Sequence, residues 1–185
     1  MNTIEKMVII INGNGGCGKD TFVKSIQELI PRTINVSIVD PIYKMAKIVG
    51  WDGITKEQKD RMFLHKLKML SEEYNDYPNR YVMNRFNEFI NNKNEFLMFI
   101  HVRESNNIKY LVEEIGKISN VPIKTLFVNR PSHNVVWGNE ADDNVDNYNY
   151  DYAFINDQKE TKEEIADAAK TFFAKIILEL KDEEE

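Results

Sequence analysis

An apolar strand that breaks into glycines and closes on Gly-Lys leaves a chain few ways to fold. Here it is "VIIINGNGGCGKDTF", Val8 to Phe22. The segment Gly13-Asn14-Gly15-Gly16-Cys17-Gly18-Lys19 satisfies G-x-x-x-x-G-K. A β-branched run precedes it, and "DTFVKSIQELI" follows as a helix with Phe22, Ile26 and Ile30 one turn apart. Glycines let successive backbone N–H groups turn inward as an anion nest, and the positive end of the next helix faces the same point. Lys19 would bridge terminal phosphates, while Cys17 reads as filler at a variable position. The departure is Asp20, where a hydroxyl residue usually follows the lysine; Thr21 comes one place later. A carboxylate in the first helical turn is favoured by the helix dipole. It could reach Mg²⁺, with Thr21 left to bond a phosphate oxygen.

β-branched runs alternate with helical patterns along the rest of the chain. Strands are expected at Met7–Asn12, Asn35–Val39, Glu95–His101, Ile123–Val128 and Tyr152–Ile155. The first is apolar throughout, as a strand covered on both faces should be. Ile108, Leu111, Val112 and Ile115 predict a helix starting at Ser105 and stopping at Gly116. Ile165, Ala169, Phe172, Ile176 and Leu180 predict a last helix, opened by the capping-box pair Thr161 and Glu164. The alternation predicts an α/β fold, a five-stranded parallel sheet flanked by helices, as one domain over 1–185. One excursion, Pro41 to Asn92, holds two or three helices and no strand. Its expected buried stripes are Val82, Phe86 and Phe89, and Phe63, Leu67 and Leu70. Beside a phosphate loop it reads as the wall of an acceptor pocket.

Charge and composition narrow the function. With 24 basic and 30 acidic residues the net charge is -6, which argues against a broad nucleic-acid surface but not against a local anion pocket. The single cysteine permits no internal disulfide, and no apolar run reaches the length of a membrane helix, so a cytoplasmic protein is expected. The base-reading motif of GTPases fails: "NKNE", Asn92–Glu95, ends in Glu and precedes a strand. Asp142, Asn144 and Asp146 imitate the start of a calcium loop, but Asn147 replaces its glycine and Ala153 its closing Glu. Trp51 and Trp137 read as hydrophobic anchors.

"GNGGCGKDT", with Asp-Thr after the lysine, resembles the phosphate loop of deoxynucleoside monophosphate kinases, within the nucleoside-monophosphate-kinase-like P-loop kinases. Segments in the same order extend the resemblance over most of the chain: "DPIYKMA" at Asp40, "GWDGI" at Gly50, "HVRES" at His101, "VNRP" at Val128 and "YDYAFIND" at Tyr150. It implies a P-loop fold with a helical acceptor-binding insertion over 41–92 and a short lid over 131–149. It also implies ATP and Mg²⁺ as cofactors and a small phosphorylated acceptor, a nucleoside or deoxynucleoside monophosphate, with no nucleic-acid or membrane partner, in a monomer or homodimer. Alternatives are a kinase resembling those for dephospho-coenzyme A and a regulatory nucleotide binder with little turnover. Two departures stand out. His101 occupies a place where that family often has aspartate, leaving Glu104 to complete the cation site with Asp20 and Thr21. The lid has no arginine after Arg130.

Phosphoryl transfer asks for positioning and positive charge. Arg103 and Arg130 each follow an expected strand, at the sheet edge where ligands bind in open parallel sheets. With Lys19 they are the candidate catalytic groups. Asp40, Lys44, Arg61 and Arg85 are the acceptor-side candidates. Arg80 and Arg85, five residues apart, point roughly 140° apart on a helix, so they do not clamp one phosphate. Asp40, before Pro41, is also a natural helix N-cap, and His101 reads as a strand-end histidine without catalytic duty.

Overall fold

The computed structural model describes residues 5–55, 57–133, 147–156 and 161–182. Most of the lid-like stretch, with Trp137 and the calcium-loop imitation through Asp146, lies outside them, as do residues 1–4, 56, 157–160 and 183–185. The strands are β1 (Met7–Asn12), β2 (Thr33–Ser37), β3 (Leu97–His101), β4 (Ile123–Asn129) and β5 (Tyr152–Ile155). The helices are α1 (Lys19–Leu29), α2 (Asp40–Ile48), α3 (Gln58–Asn75), α4 (Tyr77–Asn91), α5 (Ser105–Ile118) and α6 (Lys162–Asp182), with a 3-10 turn at Pro131–His133.

All strand pairs are parallel, in the order β2-β3-β1-β4-β5. β1, apolar up to its closing Asn12, takes the centre, and all six of its residues are buried. Alternation along β1 sends Met7, Ile9 and Ile11 to one face and Val8 and Ile10 to the other. The first face packs under α1 and α6, around Phe22, Ile26, Phe173 and Ile176. The second packs under α4 and α5, around Val82, Phe86, Ile108 and Leu111. A small third cluster, Ile42, Ala46, Trp51 and Leu64, joins α2 to α3. Trp51 is its anchor, tilted against Tyr43 with centroids 5.2 Å apart.

Several expectations shift. The second strand runs two residues earlier than its apolar pattern suggested: Ile38 and Val39 turn the chain, and the Asp40 carboxylate accepts the Ser37 N–H at 2.8 Å. Asp40 therefore begins α2 and braces the turn behind it, and Val39 holds the cap position. The helix α5 starts from Glu104 as its N-cap and runs through Gly116, whose surroundings are open. In α3 the buried face is Leu64 and Lys68; Phe63 and Leu70 stand out in solvent. α3 packs against α2 and α4, which itself lies on β2 and β3, and Phe63 and Leu70 fall outside those contacts. The α4 stripe and the Thr161–Glu164 capping box form as expected, the latter with two reciprocal 3.1 Å bonds.

Lys6 closes the far edge of the sheet. Its ammonium donates to the carbonyls of Phe89, Asn92 and Glu95 at 2.7–2.8 Å, satisfying the end of α4 where a cation is favoured by the helix dipole. Burial lowers the Lys6 pKa, with the Glu95 charge opposing. Lys6→Met keeps the stem and loses the three bonds, which we expect to cost about 1–2 kcal/mol in urea unfolding. An unchanged midpoint would show that water replaces those bonds without loss.

Candidate functional site

The phosphate loop leaves the carboxyl end of β1, where β3 and β4 flank it. Its first glycine has no room for a side chain. Gly13 has φ +143°, and a Cβ there would lie 2.1 Å from the Val128 carbonyl oxygen. Gly18 at φ +102° is the N-cap of α1, where a Cβ would sit 2.5 Å from the Asn156 amide nitrogen. With no side chain to cap α1, the N–H groups of Lys19, Asp20 and Thr21 precede its first helical bond, Phe22 N–H to Gly18 O. They form the positive end that an anion would meet.

Buried amides hold this loop. The Asn12 side chain accepts the Gly13 N–H at 2.7 Å and donates to the Arg103 carbonyl at 2.9 Å and the Tyr150 hydroxyl at 2.7 Å. Asn156, at the end of β5, donates to the Cys17 carbonyl at 2.8 Å, and its backbone N–H bonds Asn129 O at 2.7 Å. Neither asparagine was among the sequence candidates. The available signal was a polar residue closing an apolar strand, in "VIIIN" and in "AFIN".

Lys19 lies across the loop, donating to Gly13 O at 2.5 Å and Asn14 O at 2.8 Å, with the Cys17 sulfur at 3.7 Å. Burial lowers its pKa; Cys17 opposes this and Arg103 adds to it. Asp20 is exposed and Thr21 half-buried on the first turn of α1. Arg103 follows β3, and its charge reaches Lys19, His101 and Glu104. Arg130, half-buried, follows β4 two residues after the carbonyl that crowds Gly13. The loop, Lys19, Arg103 and Arg130 thus share one edge of the sheet. A groove of about 620 Å³ continues from Asp20 and Thr21 along α1 to Lys162 and Lys170 of α6.

The acceptor-side candidates scatter more. Asp40 is at that edge, bracing Ser37, which lies in register with His101. Lys44 extends over the Tyr81 ring at 5.1 Å. Arg61 is exposed on α3. Arg85 pairs with Glu88 on its own helix, eight residues from the start of α4, about 12 Å down its axis from the loop edge.

Glu104 has a partner the spacing gave no sign of. Lys68, on the buried face of α3, makes a short ion pair with it and a second at 3.1 Å with Glu72. Burial pushes the Glu104 carboxyl up, but the Lys68 ammonium, its hydrogen bond, Glu104's own N–H and Arg103 more than reverse this and hold it low. Asn107 donates to Glu72 at 3.5 Å, and Asn79 donates to Asn107 at 3.2 Å, extending the polar contacts to α4 and α5. His101 ends β3 on the face of Leu97 and Phe99, the α1 side. Its Nε2 is buried and has no hydrogen-bond partner among the described residues. Burial, with the Lys19 and Arg103 charges against the opposing Asp20, lowers its pKa to about 4.

Comparison with solved structures places this architecture. A gluconokinase from Sinorhizobium meliloti 1021 superposes with a TM-score of 0.52 over 100% of both chains at 12% identity. The thymidylate kinase of Candida albicans gives 0.49 at 12% identity, covering 97% of this chain and 94% of its own. At such identity the likeness reaches the fold and stops there: the chain has the α/β fold of P-loop NTPases. No family model matches the sequence, and no curated protein matches it. Among the described residues no helix is long and apolar enough to cross a membrane.

Two expectations follow. Lys68→Met strands the Glu104 carboxylate and should cost about 2–3 kcal/mol in chemical unfolding, with Lys68→Met/Glu104→Leu recovering about half of it; additive losses would deny the pair any coupling. An imidazole neutral in the fold contributes stability that is present above its ordinary pKa of 6.5 and drains away as the pH falls toward 4. Between pH 7 and 4.5 the wild type should lose about 2 kcal/mol more than His101→Gln; parallel pH profiles would place the titration elsewhere.

Proposed function

We propose that the protein transfers the terminal phosphoryl group of ATP, with a divalent cation such as Mg²⁺, to a small phosphorylated acceptor, a nucleoside or deoxynucleoside monophosphate. The observation that carries this is the loop itself: a glycine nest fixed by Asn12 and Asn156, the uncapped start of α1, and Lys19 lying across it. A phosphate entering the nest offers Lys19 stronger, charged acceptors than the Gly13 and Asn14 carbonyls it holds now. Arg103 and Arg130 would then neutralise charge growing on the transferred group from β3 and β4.

A nucleotide on the loop would bring its divalent cation to the first turn of α1, where Asp20 and Thr21 offer oxygens; among the described residues no three carboxylate, thiol or imidazole side chains cluster to hold a cation without it. A cation there would screen the phosphate oxygens of the nucleotide and hold them in one orientation. Glu104, bound by Lys68, serves instead to tie α3 to the loop edge. In this reading α2 and α3 wall the acceptor side, with Asp40 and Lys44 nearest the edge and Arg61 on the outer surface. The resemblance in "GKDT" and "HVRES" supports the monophosphate acceptor.

The test is ADP release over a panel of nucleoside and deoxynucleoside monophosphates, with dephospho-coenzyme A and gluconate as separate arms. At least one monophosphate should raise ADP release more than about tenfold over ATP alone. ATP binding without acceptor-dependent turnover by any monophosphate would overturn the proposal. Lys19→Ala should lower kcat by about 10²–10³-fold with thermal unfolding unchanged.

A further inference from the structure

The large apolar side chains that this chain leaves in solvent are gathered in one region. Of thirteen among the described residues, nine lie between Ile48 and Tyr77, on the helical excursion. Five of the nine belong to α3: Met62, Phe63, Met69, Leu70 and Tyr74, which are 36–85% exposed. At about 100° per residue they share one face about 140° wide, from Met69 round to Tyr74. Lys68, which reaches inward to Glu104 and Glu72, stands about 170° round from the middle of that face. The stripe is therefore the outer side of α3. An apolar face of this width is uncommon on a monomer's surface and marks a contact with another molecule.

Two charged residues, Lys66 and Glu73, say which molecule. Both are exposed and both fall within the stripe, two turns apart along nearly the same line. Neither joins an ion pair among the described residues, where the salt bridges of α3 are those of Lys59 and Lys68. A second copy of α3, laid antiparallel about a two-fold axis between Met69 and Leu70, complements this face throughout. Lys66 then meets the partner's Glu73, and symmetry makes the same pair a second time. On one flank Leu70 meets the partner's Leu70 and Phe63 meets the partner's Tyr74; on the other, Met69 meets the partner's Met69. Packed helices lie about 8–10 Å apart, close enough for all of these pairs. A parallel pairing would instead set Lys66 against the partner's Lys66. A lipid surface would favour cations alone and press Glu73 against anionic headgroups.

We infer that the protein forms a homodimer through α3, the two helices antiparallel about a two-fold axis and Lys66 paired with the partner's Glu73. The apolar pairs supply the affinity, and the ion pairs fix direction and register. The inference stands apart from the phosphoryl-transfer reading. It gives α3 a support on its outer side, opposite the Lys68–Glu104 tie.

Sedimentation equilibrium of the full chain, without nucleotide, should show a monomer–dimer equilibrium in the micromolar range or tighter. Leu70→Glu, at an exposed position, should raise the dimer Kd about a hundredfold with circular dichroism unchanged. Lys66→Glu and Glu73→Lys should each raise it about tenfold, because each sets like charges together. Mixed in equal amounts, those two variants should associate as tightly as the wild type, since each supplies the charge the other lacks. A chain that stays monomeric throughout the micromolar range overturns the inference. A dimer that Leu70→Glu leaves intact overturns it by placing the interface elsewhere. A mixture of the two charge variants that associates no better than either alone overturns the antiparallel pairing.

Discussion

The side chain of Asn12 is the point on which the functional edge turns. It is fully buried at the end of the central strand and ties three separate segments: the first loop glycine, the exit of β3 at Arg103, and Tyr150 ahead of β5. The Asn12 amide is fully buried, so losing a partner would leave it a bare polar group rather than a hydrated one. Tyr150 is in turn stacked on Phe127 at 5.1 Å, so the amide also registers the loop against β4. From the other side Asn156 does the same for Cys17. The loop is therefore held by side chains from the strand ends, and its glycines are needed because that hold brings backbone to within a methyl's width.

Electrostatics divide the edge into two regimes. Near the loop, Lys19, Arg103 and Arg130 gather positive charge beside exposed Asp20, and burial keeps the His101 imidazole neutral. Toward α3 the charges are already matched, with Lys68 between Glu104 and Glu72. The first region is prepared for an incoming anion, and the second holds the helical excursion in place. A buried pair of that kind contributes orientation more than stability, because desolvation consumes much of its Coulombic gain.

The outline of the fold was legible because it is written at short range. Alternating apolar runs and helical stripes marked all five strands and the helices around them, and the capping pair at Thr161 and Glu164 marked the start of α6. Errors came where a side chain at a distance decided the outcome. The second strand ends early because the Asp40 carboxylate takes the Ser37 N–H, and apolar Ile38 and Val39 carry no trace of that bond. Of the expected α3 stripe Leu67 packs inward, but Phe63 and Leu70 give way to Leu64 and to Lys68, a lysine at a buried position that periodicity reserves for an apolar group.

From the residues alone came the phosphate loop, its strand and helix, and the alternation that demands a parallel sheet. These depend on glycine's freedom at a few adjacent positions and on periods of two and 3.6, which are properties of neighbouring residues. Only the tertiary structure decided the strand order, the amide bonds of Asn12 to Arg103 and Tyr150 and of Asn156 to Cys17, the Lys68–Glu104 tie and the burial of the His101 nitrogen. Those join residues 36 to 139 positions apart or depend on what surrounds a buried atom, and no local pattern encodes which distant group will arrive. Asp20, the odd residue of the loop, shows the join: its place in the first helical turn could be read directly, and its exposure there could not.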